Sequence, residues 1–212
     1  MPKIITKLVI QRRNKHRVNV FLDEDYAFSL SADLALNLRI GQSLEEDAIE
    51  QLLEEDAYRK GMEKAFRLLA RRPRSENEIT DALLRADFSP SICTRVIRRL
   101  KEMKHLDDRA FADWWIENRA QFNPRSRWAL HQELRQKGVP GAIIEEALAR
   151  VDDLQLAMTA AEKRAYRWRR LPPQEFETKM LRFLQRRGFS YAVARHTIEA
   201  LRTAWEEDGS PS

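Results

Sequence analysis

The sequence predicts a mainly α-helical protein, in which a tandem array of three three-helix bundles follows a small N-terminal β meander. Three observations predict this fold class. Short β-rich runs occupy the first 30 residues, the pattern of apolar residues then repeats at spacings of 51 and 50 residues, and proline or glycine divides the copies at equivalent places. Such a repeat is typical of stacked helical units, because each unit alone buries too little apolar surface to be stable.

The N-terminal β meander is predicted from runs at residues 4–10, 18–22 and 26–30, which are β-rich or alternate between apolar and polar residues. Polar segments at 12–16 and 23–25 separate the runs and are typical of turns. We therefore expect two or three strands.

Helical structure is expected from Ser31 onward. Ser31 has the residue type of a helix N-cap, and Gly41 that of a C-terminal stop. The segment 43–46 (Ser-Leu-Glu-Glu) then has the spacing of a capping box, in which a hydroxyl and a carboxylate each accept a hydrogen bond from a free backbone N–H. This segment predicts the start of a helix.

The repeat is visible when segments 83–89, 134–140 and 184–190 are aligned, with a one-residue gap at the glycine position that the first copy lacks. The apolar positions that coincide are Leu83, Leu134 and Leu184; Phe88, Val139 and Phe189; Ile92, Ile143 and Val193; Ile97, Leu148 and Ile198; and Leu100, Val151 and Leu201. Since apolar residues at these helical spacings bury one stripe of a helix, each copy is predicted to fold as a small bundle.

Proline and glycine divide the copies into three helices each. Pro73 and Pro124 lie in equivalent turns, since proline is tolerated in the first turn of a helix but not in its interior. Gly138 and Gly188 provide left-handed stops for the second helix. The predicted boundaries are 1–55 for the β meander and its linking helices, 56–105, 106–154 and 155–205 for the three repeats, and 206–212 for an acidic tail that we expect to be disordered.

Composition narrows the class of protein. The chain has 43% hydrophobic and 33% charged residues, and it has no apolar run near the roughly 18 to 20 residues that a membrane span needs. Its N-terminus lacks the long apolar block of a signal peptide, so we expect a cytoplasmic protein without a membrane partner. The single cysteine, Cys93, lies in an apolar helical run, which favours a structural side chain over a nucleophile.

The net charge of +5 is distributed unevenly, because segments 1–55, 56–105, 106–154 and 155–203 carry −3, +6, −2 and +7. Such alternation suits a partner that presents both phosphate and protein surface, although a charged block is most often only a solvated face.

The residues that could carry catalysis or hold a cofactor form no recognisable constellation. The four histidines lack metal-ligand spacing, and the six scattered glycines form neither a P-loop nor a dinucleotide fingerprint. The acidic pairs at 107–108 and 152–153 each precede a predicted helix, where carboxylates favour the positive end of the dipole, so we predict capping instead of acid–base chemistry. The sequence therefore predicts no catalytic residue, metal or cofactor, and a protein that is not an enzyme.

Arginines are the most informative residue type, because a guanidinium at a helix terminus can bind phosphate or carboxylate through two hydrogen bonds. The arginines predicted to contact a partner or DNA are Arg71, Arg72, Arg74, Arg119, Arg125, Arg127, Arg186 and Arg187. Trp168 lies between Arg167 and Arg169 and could stack on the bases of a single strand, but packing in the core is the favoured interpretation.

A three-helix unit with a basic turn leaves open a second function, an autonomous DNA-binding protein of the helix-turn-helix type. Such a protein places one recognition helix in the major groove. The basic residues here lie around turns and on several helices, so this function is the alternative.

Five segments of the chain carry a family resemblance. They are KHRVNVFLDEDYAFSL (15–30), RRPRSENEI (71–79), VIRRLKEMKHLDDRAFADWWIENR (96–119), PRSRWALHQELRQKGV (124–139) and FLQRRGFSY (183–191). On these segments, which follow the family's order, the chain resembles the RecX family of bacterial regulators of the RecA recombinase. It departs from the family pattern at 104–107, where a glycine-aromatic pair is commoner, and at Ala86-Asp87, which replaces a basic residue and glycine.

The resemblance implies a non-enzymatic protein that binds the RecA–single-stranded DNA filament. It implies inhibition of ATP hydrolysis, strand exchange and co-protease activity, which restrains recombination and the SOS response. RecA and single-stranded DNA are then the expected partners, with weaker binding to duplex DNA. The lack of a long apolar heptad seam favours a monomer. The resemblance assigns no contact role to individual residues, so the eight arginines rest on the basic turns alone.

Overall fold

The structure, a computed structural model, describes residues 2–207, with the backbone alone at residues 206 and 207. Within this range the chain forms four strands and ten helices, which confirms the mainly α-helical fold class. The strands are β1 (Lys3–Ile10), β2 (Arg17–Leu22), β3 (Asp25–Ser31) and β4 (Ser43–Leu44). The helices are α1 (Ala32–Ala35), α2 (Glu46–Leu69), α3 (Glu76–Leu84), α4 (Pro90–Glu102), α5 (Asp108–Phe122), α6 (Arg127–Gln136), α7 (Gly141–Leu148), α8 (Asp153–Trp168), α9 (Pro173–Arg186) and α10 (Tyr191–Glu207).

The chain divides into two compact units. The N-terminal unit contains the residues up to Arg72 together with Ile79–His105, and the C-terminal unit contains Pro73–Glu78 and the residues from Leu106 onward. The predicted boundary at 55/56 falls inside α2, which continues without a break. Of the predicted acidic tail, residues 206 and 207 belong to α10 and residues 208–212 lie outside the described residues. Between residues 2 and 207, no helix is both long and apolar enough to cross a membrane.

The sheet of the N-terminal unit has four antiparallel strands in the order β3-β2-β1-β4. Strand β2 buries alternate residues, Val18, Val20 and Leu22, as its sequence predicts. Asp23 and Glu24 both have positive φ and join β2 to β3, which is the backbone that a tight hairpin turn requires. The predicted β meander is confirmed, with one strand more than expected.

The extra strand is the segment predicted to be a capping box. Ser43–Leu44 pairs with β1, and α2 begins after Glu45, whose side chain makes no capping hydrogen bond. Gly41 has φ +85 and lies in the turn that precedes β4, so it is not the helix stop that was predicted. Ser31 does precede α1, but without a side-chain capping hydrogen bond. Pairing with a strand distant in sequence satisfies this backbone, and local capping signals do not reveal such pairing.

The core of the N-terminal unit lies between the sheet and the helices α1 and α2. Its buried residues are Ile5, Val20, Leu22, Phe28, Leu30, Leu34, Leu38 and Leu44, with Ile49 and Leu52 of α2 packed against them. A buried ion pair also ties α2 to the sheet, because Nη1 of Arg17 lies 2.6 Å from Oδ1 of Asp56. Burial by itself would raise the pKa of Asp56, but hydrogen bonds from Arg17, Lys60 and the Ser31 N–H more than offset this and hold that pKa below its usual value.

Cys93 of α4 is also buried in the N-terminal unit, with 2% of its surface exposed. Burial raises the pKa of its thiol, which leaves little reactive thiolate at neutral pH. The prediction of a buried structural cysteine is confirmed.

The C-terminal unit contains two helical cores. Helices α5, α6 and α7 enclose Phe111, Ala112, Leu130, Leu134, Val139, Ile144 and Leu148. Helices α8, α9 and α10 enclose Ala157, Ala160, Ala161, Ala165, Phe176, Met180, Phe183, Leu184, Phe189, Ala194, Ile198 and Leu201. Leu156 of α8 packs against both clusters, so the second and third repeats share apolar surface.

The second helices of the three repeats, α3, α6 and α9, end in the same Schellman turn. The backbone N–H groups of Phe88, Val139 and Phe189 donate to the carbonyl oxygens of Leu83, Leu134 and Leu184. Gly138 and Gly188 occupy the left-handed position of this turn, with φ +74 and +90, as predicted. Asp87 occupies the same position in the first repeat with φ +61. The predicted one-residue gap is therefore wrong, because the turn is kept even where a Cβ makes its backbone less favourable.

The two Pro-Arg-Ser turns start the helices α3 and α6, as predicted. Ser75 and Ser126 are fully buried, and each accepts a hydrogen bond of 3.1 Å from the backbone N–H three residues later. Within the C-terminal unit, each turn also contacts a Schellman turn: Ser75 Oγ donates to the carbonyl oxygen of Lys137 (2.6 Å), and the Ser126 N–H donates to that of Arg187 (3.1 Å). Equivalent turns thus meet at both places, through a side-chain hydroxyl donor in one and a backbone N–H donor in the other.

The acidic pairs contribute to these contacts. The first aspartate of each pair, Asp107 or Asp152, accepts hydrogen bonds from the N-terminal N–H groups of its own helix, which confirms the predicted capping role. The second aspartate reaches another helix. Asp108 accepts from the first N–H of α3 (2.8 Å), and Asp153 accepts from the first N–H of α6 (2.5 Å). Each pair therefore caps two helix N-termini, which local sequence does not reveal.

Candidate contact surface

Two of the eight predicted arginines are bound to a single carboxylate inside the C-terminal unit. Nε of Arg119 lies 2.7 Å from Glu133 Oε2, and Nε of Arg125 lies 3.0 Å from Glu133 Oε1. Trp115 Nε1 donates to the same carboxylate (2.8 Å), and the Arg119 guanidinium lies 4.4 Å from the Trp115 ring centroid. Glu133 is only 19% exposed, so its ion pairs with these two arginines are mostly shielded from water and orient the helices. The two arginines would have to break these ion pairs to bind a partner.

Arg187 is also engaged within the fold. Its Nη1 donates to Asn123 Oδ1 and to the carbonyl oxygen of Pro124, both at 2.7 Å. Burial lowers the pKa of Arg187, and the nearby positive charges of Arg125 and Arg164 lower it further. This guanidinium therefore holds the segment between α5 and α6 in place.

Arg74 is likewise mostly covered. Its side chain is 22% exposed, and its Nη1 lies 3.9 Å from Glu78 Oε1. The same glutamate oxygen accepts from Lys137 Nζ at 2.9 Å. Arg74 thus takes part in a charged cluster at the start of α3.

The remaining four predicted arginines are more accessible. Arg71 is exposed and Arg72 half-buried at the end of the N-terminal unit's first segment. In the C-terminal unit, the Arg127 side chain is 47% exposed and lies 3.8 Å from Glu145. Arg186 is exposed, and its side chain makes no hydrogen bond or ion pair with another residue in the described part of the chain. Of the predicted arginines in the C-terminal unit, Arg127 and Arg186 are therefore the two that a partner can reach.

Arg186 belongs to a basic stripe on α9. Lys179, Arg182 and Arg186 are all exposed, and spacings of three and four residues place them along one helix face. Lys179 pairs with Glu175 at 2.6 Å. The stripe presents positive charge to solvent.

Trp168 packs inside the C-terminal unit, which confirms the favoured packing interpretation. Its ring meets Phe183 edge-on with centroids 5.9 Å apart, and it packs against the core of the third repeat. The exposed aromatic ring of this segment is Tyr166, which is 72% exposed. Tyr166 was not among the residues predicted from the sequence. Helical spacing could have indicated it, because a residue two positions before Trp168 lies about 200° around the helix from it and so faces away from the core.

Family models match the chain in tandem: the RecX N-terminal domain at residues 3–45, and the first, second and third RecX three-helix domains at 62–100, 107–148 and 151–198. Two relatives, each named regulatory protein RecX, come from Bacillus licheniformis (34% identity, 96% of this chain and 79% of the relative) and Clostridium botulinum (32% identity, 92% and 94%). This chain belongs to the RecX family.

Solved structures agree with the RecX assignment. A crystal structure of regulatory protein RecX matches with a TM-score of 0.64 and 26% identity over 93% of this chain and 99% of the other. A RecX crystal structure from Lactobacillus salivarius matches with a TM-score of 0.59 over 70% of this chain and 99% of the other; at 23% identity it supports the fold alone. The tandem three-helix domains predicted from the repeat are thus those of a RecX protein.

Proposed function

We propose that this RecX-family protein regulates a RecA-type recombinase by binding the filament that the recombinase forms on single-stranded DNA. In this proposal it inhibits ATP hydrolysis, strand exchange and co-protease activity, and so restrains recombination and the SOS response. It acts by binding and not by catalysis, as a monomer in the cytoplasm. Contact with single-stranded DNA accompanies the protein contact, and binding to duplex DNA is weaker.

The observation that carries the proposal is the tandem match of all four RecX domains. The matches begin at residue 3 and end at residue 198, in the same order as the elements of the fold. A RecA filament is a repeating lattice of protein and DNA. A chain of repeated units with a basic exposed surface is suited to such a target, because neighbouring contacts reinforce one another.

The side-chain geometry divides the predicted arginines by role. Arg127 and Arg186 are the members of the C-terminal unit that we propose for contact with the filament, because they are exposed and weakly held. Arg119, Arg125 and Arg187 support the fold, since Arg119 and Arg187 donate hydrogen bonds to acceptors within it and Arg125 forms an ion pair with Glu133. Replacing all eight arginines at once would therefore confuse loss of contact with loss of structure.

The direct test is the rate of single-stranded-DNA-dependent ATP hydrolysis by the cognate recombinase as this protein is titrated. We expect the rate to fall at ratios well below one protein per recombinase subunit. The double variant Arg127→Ala/Arg186→Ala should need a roughly tenfold higher concentration for the same inhibition, because arginine is enriched among the interface residues whose truncation costs more than about 1 kcal/mol and tenfold corresponds to about 1.4 kcal/mol.

The matched control is Arg109→Ala. Arg109 is exposed like the two test residues, but it is held by Glu146 at 2.6 Å, so this variant should inhibit as well as the unmodified protein. An unchanged ATPase rate at excess protein would overturn the filament proposal and favour the autonomous DNA-binding protein. Equal inhibition by the double variant would instead overturn only the assignment of Arg127 and Arg186.

A further inference from the structure

The end of α8 carries an exposed tyrosine among arginines that form no ion pair with any residue that the structure describes. We name Tyr166, Arg167, Arg169 and Arg170 the α8 platform, and we propose that it is a binding site for single-stranded nucleic acid. The Tyr166 ring stacks on an unpaired base, and the three guanidinium groups contact the phosphates on either side. This inference deepens the proposed function, on whose single-strand contact it rests, by locating that contact.

The exposure of Tyr166 is the first observation. It is 72% exposed, more than any other aromatic residue whose side chain the structure describes. Its neighbours Ala165 and Trp168 are buried or half-buried in the core of the third repeat. A large aromatic ring that stays exposed beside a well-packed core provides apolar surface on which a ligand can pack.

The platform is firmly anchored. Trp168 packs edge-on against Phe183, and the Arg164 guanidinium lies 5.2 Å from the centroid of the same Phe183 ring. Ala165 is only 3% exposed and fixes the rotation of α8. Tyr166 must therefore point away from the core, and little ordering entropy remains to be lost when a base stacks on it.

The charge of the segment is the second observation. Residues 163–170 contain five basic side chains and no acidic one, and no carboxylate lies within 4.0 Å of any of them among the described residues. Elsewhere exposed arginines are commonly paired, as Arg109 is with Glu146 and Arg195 with Glu177. The platform therefore presents an unneutralised positive field, which attracts a polyanion.

The Tyr166 ring is also placed for stacking. The Arg169 guanidinium lies 4.7 Å from its centroid, a cation–π contact that steadies the ring while most of its surface remains in water. Basic side chains around an aromatic ring are the combination that single-strand-binding surfaces use, because the arginines follow the backbone and the ring accepts any base.

The platform favours a single strand over a duplex because of the tyrosine. In a duplex the faces of the bases are covered by their neighbours, so the ring has nothing to stack on, and only the arginines remain useful. An acidic protein partner would likewise bind the arginines and make no stacking contact with the Tyr166 ring. Dependence on Tyr166 thus separates a single strand from the other two kinds of partner.

The experiment measures binding of a fluorescein-labelled 20-nucleotide oligo-dT by fluorescence anisotropy, at low salt, with the full chain and no recombinase. We expect Tyr166→Ala to bind about 5- to 150-fold more weakly, since stacking on an aromatic side chain is worth about 1–3 kcal/mol per base. Tyr166→Phe keeps the ring and should bind like the unmodified protein. Tyr191→Ala is the matched control, because Tyr191 is also exposed in this unit (59%) and lies outside the platform.

Two further measurements complete the test. Arg167→Ala/Arg170→Ala should reduce the slope of log K against log salt by about 1.4, at about 0.7 for each lost single-strand phosphate contact. Binding to a 20-base-pair duplex should be unaffected by Tyr166→Ala.

The proposal is overturned if the unmodified protein does not bind oligo-dT, if Tyr166→Ala binds as tightly as the unmodified protein, or if Tyr191→Ala loses as much. It is also overturned if Tyr166→Ala weakens duplex binding equally. Each of these outcomes is independent of the recombinase ATPase assay, so the α8 platform and the filament proposal can fail separately.

Discussion

Replacing Gly188 by alanine tests how the second and third repeats are held together within the C-terminal unit. Gly188 has φ +90, and a Cβ at this position would lie 2.6 Å from Ser126 Oγ and 2.9 Å from Ala129 Cβ. Neither neighbour is the free end of a flexible side chain: Ser126 is fully buried and caps α6, and Ala129 is 8% exposed. The new methyl group can be accommodated only if α6 and the Schellman turn move apart.

Two costs add in this variant. An alanine in the left-handed region costs about 1–2 kcal/mol relative to its preferred backbone, and overpacking a close contact costs about 1–3 kcal/mol. The free energy of unfolding of this unit should therefore fall by about 2–5 kcal/mol, and the hydrogen bond from the Ser126 N–H to the Arg187 carbonyl oxygen (3.1 Å) should weaken.

Two other glycines separate these costs. Gly41 has φ +85 with nothing within 4 Å of an added Cβ, so Gly41→Ala should show the backbone cost alone. Gly141 also has no neighbour within 4 Å and no positive φ, and it begins α7, so Gly141→Ala should be neutral or stabilise by up to about 1 kcal/mol.

The assay is urea unfolding followed by circular dichroism, combined with hydrogen exchange measured by mass spectrometry on peptides covering 123–130 and 184–190. Gly188→Ala should lower the unfolding midpoint and speed exchange in both peptides together, because each contains one side of the contact. A loss no larger than that of Gly41→Ala, or exchange that changes in only one peptide, would show that the Schellman turn does not hold the two repeats together.

Two further predictions concern the N-terminal unit. Asp87→Gly should stabilise it by about 0.5–1 kcal/mol, because Asp87 holds φ +61 where glycine has no Cβ penalty; a raised urea midpoint checks this, and a lower one would contradict it. Asp56→Asn should cost about 3 kcal/mol at pH 7 by leaving the buried Arg17 without its charged partner. Because the folded pKa of Asp56 is lowered, its stabilisation is present above the unfolded pKa and is lost as pH falls through the folded pKa. The difference between the two proteins in unfolding free energy should therefore shrink toward pH 3, and a constant difference from pH 7 to pH 3 would refute the role of the charge.

Signals that act over a few residues were sufficient for much of the fold. Proline two residues before the N-cap, serine as N-cap and aspartate before a helix all act within four residues, so the starts of α3 and α6 and the capping by Asp107 and Asp152 could be predicted. Where the partner is distant in sequence, local signals failed. The segment 43–46 satisfies a capping pattern, yet its first two residues pair with β1 about 40 residues away.

The candidate contact residues show the same division. The arginine clusters at helix ends are visible in the sequence, but a guanidinium near a turn can either face solvent or bind an acceptor from another helix. Glu133 lies 8 residues from Arg125 and 14 from Arg119, and the acceptors of Arg187 lie more than 60 residues earlier. Which arginines are accessible therefore could not be predicted from spacing.

The sequence by itself determined the mainly helical class, the three tandem units and the RecX resemblance, because apolar periodicity and the residues that end helices act locally and repeat along the chain. Only the tertiary structure decided that Asp87 takes the place of a glycine, that the second aspartate of each pair caps another helix, and that Tyr166 and not Trp168 faces solvent. Each of these depends on which surfaces meet after the helices pack, and burial and long-range hydrogen bonds exist only in the folded chain.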